Sequence, residues 1–371
     1  MAKEAKRANR GLKRLRVAID SLDSKLVALL DERVKFAAET LHHKRKLGLE
    51  LYQPSREAEV IKKAISRRKL FPEAPLKSIY REIIGATLQL ENPFTAAILG
   101  PEATYTHLAT VKHFGHTVNI SFESSIPDVF LKVEKKEADL GVVPIENSSE
   151  GSIVHTLDNL VTSTLSIAAE ILMPVRHNLM ALQENSKKFL PNLIVSHAQG
   201  LAQCRNFIES HYPGVPLKQV PSTAIAALEA SKKKGVAAIA SELAAEKYGL
   251  KIIHSNIEDI ADNTTRFLVL RNSDETIPAK RKGCEYKTSI AFSMKDKPGA
   301  LFSMLEPFKR SGINLTKIES RPSRIKTWIY TFFLDMEGHA DDLKVKRALT
   351  ELQEECHFYR LLGSYPKGIT L

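Results

Sequence analysis

Apolar residues recur at Leu12, Leu15, Ile19, Leu22, Leu26 and Leu29 in a 3,4 rhythm, and the next step of that rhythm lands on Arg33 before Phe36. The pattern predicts a long helix with a permanent cation in its apolar seam. Such an arginine either snorkels to water at the edge of the seam or meets an anion held inside a helical bundle. Lys44 lies 11 residues further on; at 100° per residue it returns to nearly the same face, about 16 Å along the axis. Gln53-Pro54-Ser55-Arg56-Glu57 opens a second helix, with Pro54 at its start and Gln53, Arg56 and Glu57 spaced to share one face. A third helix, about Leu76 to Leu90, turns Ile79, Ile83, Ile84 and Leu88 inward and places Thr87 and Glu91 one turn apart. Together these predict a polar ring inside an all-helical module.

The helical rhythm stops at Asn92-Pro93, and Thr95 to Leu99 reads as a short buried strand before Gly100-Pro101. Strands are predicted over Val118–Phe122, Leu140–Pro144, Leu165–Leu172, Leu193–Ser196, Val236–Ala240 and Phe267–Leu270. Helical patterns at Ala198–Glu209 and Thr223–Lys232 separate them, and Val175–Leu182 alternates weakly, as a strand crossing between two lobes would. Polar residues cluster where strands end, in Glu146-Asn147-Ser148-Ser149-Glu150, Ser196-His197-Ala198-Gln199 and Asn263-Thr264-Thr265-Arg266. Open α/β sheets place ligands at such strand ends, although Ser196 or Asn147 alone would serve equally well as a helix cap.

Asn272 to Gly283 has linker composition. Beyond it the order is strand Thr288–Met294, helix Gly299–Arg310, strand Ile313–Glu319, strand Lys326–Met336, helix Asp341–Glu355 and strand Phe358–Leu362, a ferredoxin-like βαββαβ arrangement. The expected architecture is therefore multidomain: helical over 1–92, α/β over 93–272, and a linker plus α+β domain over 273–371.

Charge sharpens this division. Residues 1–92 hold 21 Lys/Arg against 12 Asp/Glu, residues 93–280 hold 17 against 20, and residues 281–371 hold 16 against 11, within a formal net charge of +11. A basic helical module could read as a nucleic-acid binder. However, the Lys62, Lys63, Arg67, Arg68, Lys69 run lacks interleaved aromatics, and the seam cations suit a small anion better. No apolar run is long enough to span a membrane, so no membrane partner and a cytoplasmic location are expected. Three widely separated cysteines, Cys204, Cys284 and Cys356, read as free thiols, with neither a disulfide framework nor a metal site.

Leu15-Arg16, Ile19, Leu22-Asp23, Leu26, Leu29-Leu30, Glu32-Arg33, Lys44 and Arg56-Glu57 resemble the all-helical chorismate mutases over nearly all of residues 11–92. The resemblance implies that Arg16, Arg33, Lys44 and Arg56 hold the carboxylates and ether oxygen of chorismate, with Gln53, Glu57, Thr87 and Glu91 completing the ring. The reaction is a pericyclic rearrangement, so the protein must fix a compact conformer and stabilise charge developing on the ether oxygen. Arg16 and Arg33 stand about 25 Å apart on one helix. Both cannot reach one small dicarboxylate, so Arg16 is expected to serve the site of a second copy in a homodimer. Gln53 stands where relatives often have Asp, and Glu91 where many have Gln; a donating Glu91 would have to be protonated, favouring acid pH.

The middle segment is similar to prephenate dehydratase from about Ala96 to Leu270, through Leu99-Gly100-Pro101-Glu102-Ala103-Thr104-Tyr105-Thr106, Val143-Pro144-Ile145-Glu146-Asn147-Ser148, Ser196-His197-Ala198-Gln199 with Gln203-Cys204, and Thr265-Arg266-Phe267. Ala103 departs from the usual Gly. The resemblance implies two lobes like a periplasmic binding protein and conversion of prephenate to phenylpyruvate with loss of CO2 and water. Thr265 would donate toward the leaving hydroxyl, Arg266 would anchor a carboxylate and Phe267 would wall the ring. Thr104, Glu146, Asn147, Ser148 and Gln203 would position the substrate.

Lys297-Pro298-Gly299-Ala300-Leu301-Phe302 and Leu315-Thr316-Lys317-Ile318-Glu319-Ser320-Arg321-Pro322 resemble the ACT regulatory domain in its phenylalanine-binding form. They imply an effector site built from Gly299, Ala300, Leu301, Asn314, Leu315, Glu319, Ser320, Arg321 and Pro322. The expected protein is a cofactor-free bifunctional enzyme inhibited by phenylalanine. Arogenate in place of prephenate, and a non-catalytic phenylalanine-responsive binding protein, are the alternatives.

Overall fold

The computed structural model describes residues 2–47, 52–182, 189–272, 280–281, 283–294, 298–322, 330–368 and 370, with the side chains of 2–8, 45 and 91 outside the description. Lys297, residues 326–329 of the predicted strand, residues 273–279 of the predicted linker and the Glu91 side chain therefore lie outside the described residues.

Helices α1 (Ala2–Lys46), α2 (Pro54–Arg67) and α3 (Glu73–Glu91) form the first module. The seam of α1 is not buried within the chain: Leu15, Ile19, Leu22, Leu26, Leu29 and Phe36 are all more than half exposed. Only its C-terminal part, including Leu41, finds cover. Ile79, expected inside, is also exposed. The module docks on the rest of the protein through α3, where a Cβ on Gly85 would stand 1.9 Å from the Phe114 carbonyl oxygen, so glycine sets that close approach.

The α/β region alternates as its hydrophobic pattern predicts. Its first half contains β1 (Thr95–Leu99), α4 (Tyr105–Phe114), β2 (Asn119–Glu123), α5 (Ile126–Glu134), β3 (Leu140–Asn147), β4 (Gly151–Ser152), α6 (Val154–Thr162) and β5 (Ser166–Pro174). The second contains β6 (Asn178–Ala181), β7 (Leu193–Ser196), α7 (Ala198–Gln203), α8 (Arg205–His211), β8 (Leu217–Gln219), α9 (Thr223–Ala230), β9 (Val236–Ala240), α10 (Glu242–Lys247) and β10 (Lys251–His254). Strand β11 (Thr264–Arg271) then returns to the first sheet, ordered β2-β1-β3-β11-β5, while the second is ordered β10-β6-β9-β7-β8. Two sheets with separate cores make two lobes, and the β5–β6 passage and β11 cross between them.

The last domain comprises β12 (Tyr286–Met294), α11 (Ala300–Arg310), β13 (Leu315–Pro322), β14 (Tyr330–Glu337), α12 (Leu343–Glu355) and β15 (Cys356–Pro366). Its antiparallel sheet, ordered β13-β14-β12-β15, is the ferredoxin-like arrangement. One face packs Ile290, Phe292, Phe332 and Leu334 with Met304 and Phe308 of α11 and Ala348 and Leu352 of α12. The other face contributes Ala291, Phe333, Leu362 and Tyr365 to the core of the first α/β lobe. The linker composition thus joins domains that share a continuous core.

Among the described residues, no helix is long and apolar enough to cross a membrane. Cys204, Cys284 and Cys356 are free.

Candidate active sites and an effector strand

The helical module holds a cavity of about 230 Å³ lined by Arg33, Lys44, Gln53, Arg56, Glu57 and Thr87 together with Ala37, Thr40, Leu41, Val60, Ile84 and Leu88. Helical spacing brings Arg33 and Lys44 to one face of α1, and α2 opens at Gln53 so that Arg56 and Glu57 point the same way. Arg33 Nη1 donates to Thr87 Oγ1 at 2.9 Å, and Thr87 in turn donates to the Ile83 carbonyl at 2.6 Å. Among the described residues a hydroxyl, not a carboxylate, holds the seam arginine beside the cavity. Arg56 pairs with Glu59 at 2.9 Å, and Lys63 together with Arg56 holds the Glu59 carboxyl down to about 2.

Glu57 is shifted the opposite way from Glu59. Loss of hydration pushes its carboxyl up to about 7, against the opposing pull of Lys44 and Arg81. Arg16 lies exposed on α1, away from this cavity. Arg281, which sequence reasoning did not single out, donates through Nη2 to Gln53 Oε1 at 2.8 Å. No local signal could have found it, because 228 residues separate the pair.

Between the α/β lobes lies a second cavity of about 390 Å³. Thr104, Asn147, Gln203, Thr265 and Phe267 line it, joined by Tyr105, Ser152, His177, Gln199, Ser222 and Thr223. Asn147 Nδ2 donates to Asn263 Oδ1 and to Thr265 Oγ1, both at 2.8 Å, while its own Oδ1 accepts from the Ser149 and Glu150 amides. With an oxygen lone pair thus engaged and no described acceptor for its proton, the Thr265 hydroxyl is a donor available to the cavity.

His177 is buried, which lowers its pKa and keeps it neutral. Its Nε2 lies 2.8 Å from Gln203 Oε1 and its Nδ1 2.8 Å from the Tyr105 hydroxyl. Gln203 Oε1 can only accept, so Nε2 carries the proton and Nδ1 is an acceptor, which shares the single Tyr105 hydroxyl proton with the Arg176 carbonyl oxygen, also 2.8 Å away. Gln203 Oε1 also accepts from Asn263 Nδ2 at 3.1 Å. Gln203 Nε2 is buried and has no hydrogen-bond partner among the described residues.

None of the described lining residues of this cavity is Lys or Arg. Positive potential comes instead from helix starts. Thr104 caps α4 and Ser222 caps α9, each accepting from an amide of the first turn, and the amides of Tyr105, Thr106, Thr223 and Ala224 precede the first intrahelical bonds. Paired Ser-Thr and Thr-Tyr-Thr at helix starts were the available sequence signal for these positions.

Three expected residues do not face the cavity. Ser148 Oγ accepts from the Thr264 amide at 2.9 Å and ties the end of β3 to the start of β11. Strand alternation sends Arg266 and Glu146 to the opposite side of the sheet from Thr265 and Asn147, against the C-terminal domain. Arg266 therefore does not stand where a substrate carboxylate in the cleft could reach it. It donates to Asp335 at 2.6 Å, Glu146 at 3.2 Å and the Tyr365 hydroxyl at 3.0 Å, and its Nε lies 2.7 Å from Glu170 off the hydrogen-bond axis. Burial pulls Glu146 upward, but Lys317 and Arg266 more than offset it and hold the carboxyl below its ordinary range.

Ala103, where the resemblance led us to expect Gly, has φ of 66°. A left-handed backbone explains that preference.

In the C-terminal domain Gly299 takes φ of 77° and precedes α11, with Ala300 buried and Leu301 exposed beside it. Asn314 and Leu315 lead into β13, an edge strand whose alternation splits the expected effector residues. Glu319 and Arg321 turn toward Ser152 and Asp158, whereas Ser320 and Pro322 are exposed.

A helical module with a cation-lined cavity, a two-lobed α/β domain with a donor-lined cleft and a ferredoxin-like domain together define a multidomain protein with two separate candidate active sites. The type II chorismate mutase model matches residues 15–92, the prephenate dehydratase model 96–275 and the ACT domain model 288–354. The chain is 44% identical over 363 residues to the bifunctional chorismate mutase/prephenate dehydratase of Aquifex aeolicus, covering 96% of this chain and 98% of that one. It is 41% identical to the Pseudomonas aeruginosa protein of the same description, with the same coverage. A crystal structure of prephenate dehydratase in complex with L-Phe from Arthrobacter aurescens superposes with a TM-score of 0.68 at 33% identity, covering 74% of this chain and 90% of that one. The chain belongs to the family of bifunctional chorismate mutase/prephenate dehydratases.

Proposed function

We propose that residues 1–92 rearrange chorismate to prephenate, that residues 93–272 convert prephenate to phenylpyruvate, and that residues 273–371 carry feedback inhibition by L-phenylalanine. The pairing of a cavity lined by Arg33, Lys44 and Arg56 with a cleft whose described lining holds no Lys or Arg supports this reading. A pericyclic rearrangement gains from cations that hold two carboxylates and meet charge developing on the ether oxygen. Thr87 orients Arg33 for that task.

Loss of CO2 and hydroxide from prephenate requires a proton donor at the leaving oxygen, and the Thr265 hydroxyl, aligned by Asn147, fills that role. The free amides at the starts of α4 and α9 hold the substrate's carboxylates, and Gln203 Nε2 supplies a further donor. Phe267 packs against the ring.

The exposed row Leu15, Ile19, Leu22, Leu26 and Leu29 is then covered by a second copy, whose Arg16 completes the mutase cavity. Sedimentation finding only monomer at micromolar concentration would sink that dimer. The activity is tested by supplying purified protein with chorismate: phenylpyruvate should form, and phenylalanine should suppress it. Turnover of arogenate in preference to prephenate favours the alternative substrate, and turnover of none of the three overturns the reading.

A further inference from the structure

Two adjacent rungs of the β3–β11 ladder face opposite ways. Thr265 pairs with Asn147 and faces the cleft; Arg266 pairs with Glu146 and faces the ACT sheet. The second rung is bonded to the C-terminal domain at both ends. Arg266 donates to Asp335 on β14, and Glu146 accepts from Lys317 on β13. Asp335 is itself fixed by Ser289 Oγ at 2.5 Å, and Ser289 lies 2.6 Å from the Tyr365 hydroxyl that accepts from Arg266. Lys287 pairs with Glu170 at 2.7 Å, so three cations, Arg266, Lys287 and Lys317, meet three anions, Glu146, Glu170 and Asp335.

The contact also reaches the cleft wall directly. Ser152, which lines the cavity and pairs with Glu146 across β3–β4, accepts from Lys317 Nζ at 3.0 Å and donates to Glu319 Oε2 at 2.9 Å.

We infer that Asp335 and Lys317 of the ACT sheet are positioning residues for the dehydratase, acting through Arg266 and Glu146 on the Thr265–Asn147 pair. A balanced charge cluster, buried at Arg266, Glu170 and Asp335 and half-buried at Glu146, resists partial separation, because moving β13 or β14 away strands an unpaired ion. The catalytic rung must therefore follow the ACT sheet. Any ligand that shifts the edge strand β13 moves Thr265 with no need to enter the cleft. Arg266 is on this account the hinge pin of the coupling, and the cleft recognises its substrate without it. This inference rests on the assignment of Thr265 and Asn147 to the dehydratase site.

The test uses the full chain carrying Asp335→Asn, Lys317→Gln, Arg266→Lys or the Asp335→Asn/Arg266→Lys pair, with mutase turnover and melting temperature as controls on folding. For prephenate, kcat should fall roughly tenfold in each single variant with KM within about twofold, and the double variant should be no worse than its worse parent. The phenylalanine concentration giving half inhibition should shift by about threefold or more. Should Asp335→Asn fail to fold, the less buried Lys317→Gln carries the same expectation.

A raised KM in Arg266→Lys with normal kinetics in Asp335→Asn would return Arg266 to the substrate and overturn the coupling. Lower melting temperatures with unchanged kcat and inhibition would make the cluster simple adhesive, also overturning it. Thr265→Ala, run in parallel, separates the two layers: full prephenate turnover there removes the site assignment itself, whereas its loss alongside normal Asp335→Asn kinetics removes only the coupling.

Discussion

On the proposed assignment, the two cavities handle substrates of one chemical kind, small ring dicarboxylates, by different physics. In the mutase cavity the positive charge sits on long side chains: Arg33 held by Thr87, Arg56 shared with Glu59, and Lys44. In the dehydratase cleft it sits in the backbone, at the starts of α4 and α9, with hydroxyl and amide donors around it. The difference follows from the reactions. A rearrangement with no proton transfer benefits from formal charge beside the breaking ether bond. A reaction that must expel CO2 is better served by donors that orient a carboxylate without locking it as an ion pair.

The strongest way to break the comparison is pH. With Glu57 poised near 7, only its protonated form can donate to a dianionic substrate without repelling it. Mutase kcat/KM should therefore be highest below pH 7 and fall by up to about tenfold per unit above it. The Glu57→Gln variant should lose that inflection, while prephenate turnover keeps its own profile. The sign agrees with linkage: a carboxyl raised in the fold contributes stability fully below its unfolded pKa and loses it as pH rises through about 7. An unchanged mutase profile in Glu57→Gln would remove Glu57 from this role. The acid-pH expectation first attached to Glu91 thus finds a second carrier, at a residue whose side chain is described.

A smaller effect sharpens the same contrast. Raising salt from about 0.05 to 0.5 M should weaken mutase kcat/KM several-fold, because side-chain cations near solvent are screened. Prephenate kcat/KM should change less than about twofold, its dipoles lying inside the cleft. Equal salt slopes would erase the distinction between the two modes of anion recognition.

Much of the fold was legible because its periodicities are local. Strands Leu193–Ser196 and Val236–Ala240 stand at the predicted residues, and the βαββαβ order of the last domain is as read. The pattern over Ala198–Glu209 predicts one helix, but it breaks at Cys204, where Asp259 caps the amides of Asn206 and Phe207 from 53 and 52 residues away. A pattern within the segment cannot reveal a cap from elsewhere.

The sites divide in the same manner. Arg33 with Lys44, and Gln53 with Arg56 and Glu57, were legible because helical spacing puts each set on one face, and the packing of α1, α2 and α3 then joins them with Thr87 around one cavity. Thr265, Arg266 and Phe267 were taken together as a motif, yet strand alternation forbids three consecutive side chains from sharing one cleft. That rule was available in the sequence; the destination of Arg266, a charge cluster assembled from β3, β5, β11, β13 and β14, was not. The seam of α1 is exposed within the chain, as the expected pairing with a second copy through Arg16 allows, since periodicity alone does not say whether cover comes from the same chain or another.

The central claim, two separate chemistries on one chain, is tested most directly by following chorismate through paired variants. Thr265→Ala should consume chorismate at the normal rate and accumulate prephenate, with phenylpyruvate formation falling about 10²- to 10³-fold. Arg33→Ala should leave chorismate nearly untouched yet convert supplied prephenate normally. Phenylpyruvate formed at the full rate by Thr265→Ala, or prephenate turnover lost in Arg33→Ala, would contradict the account.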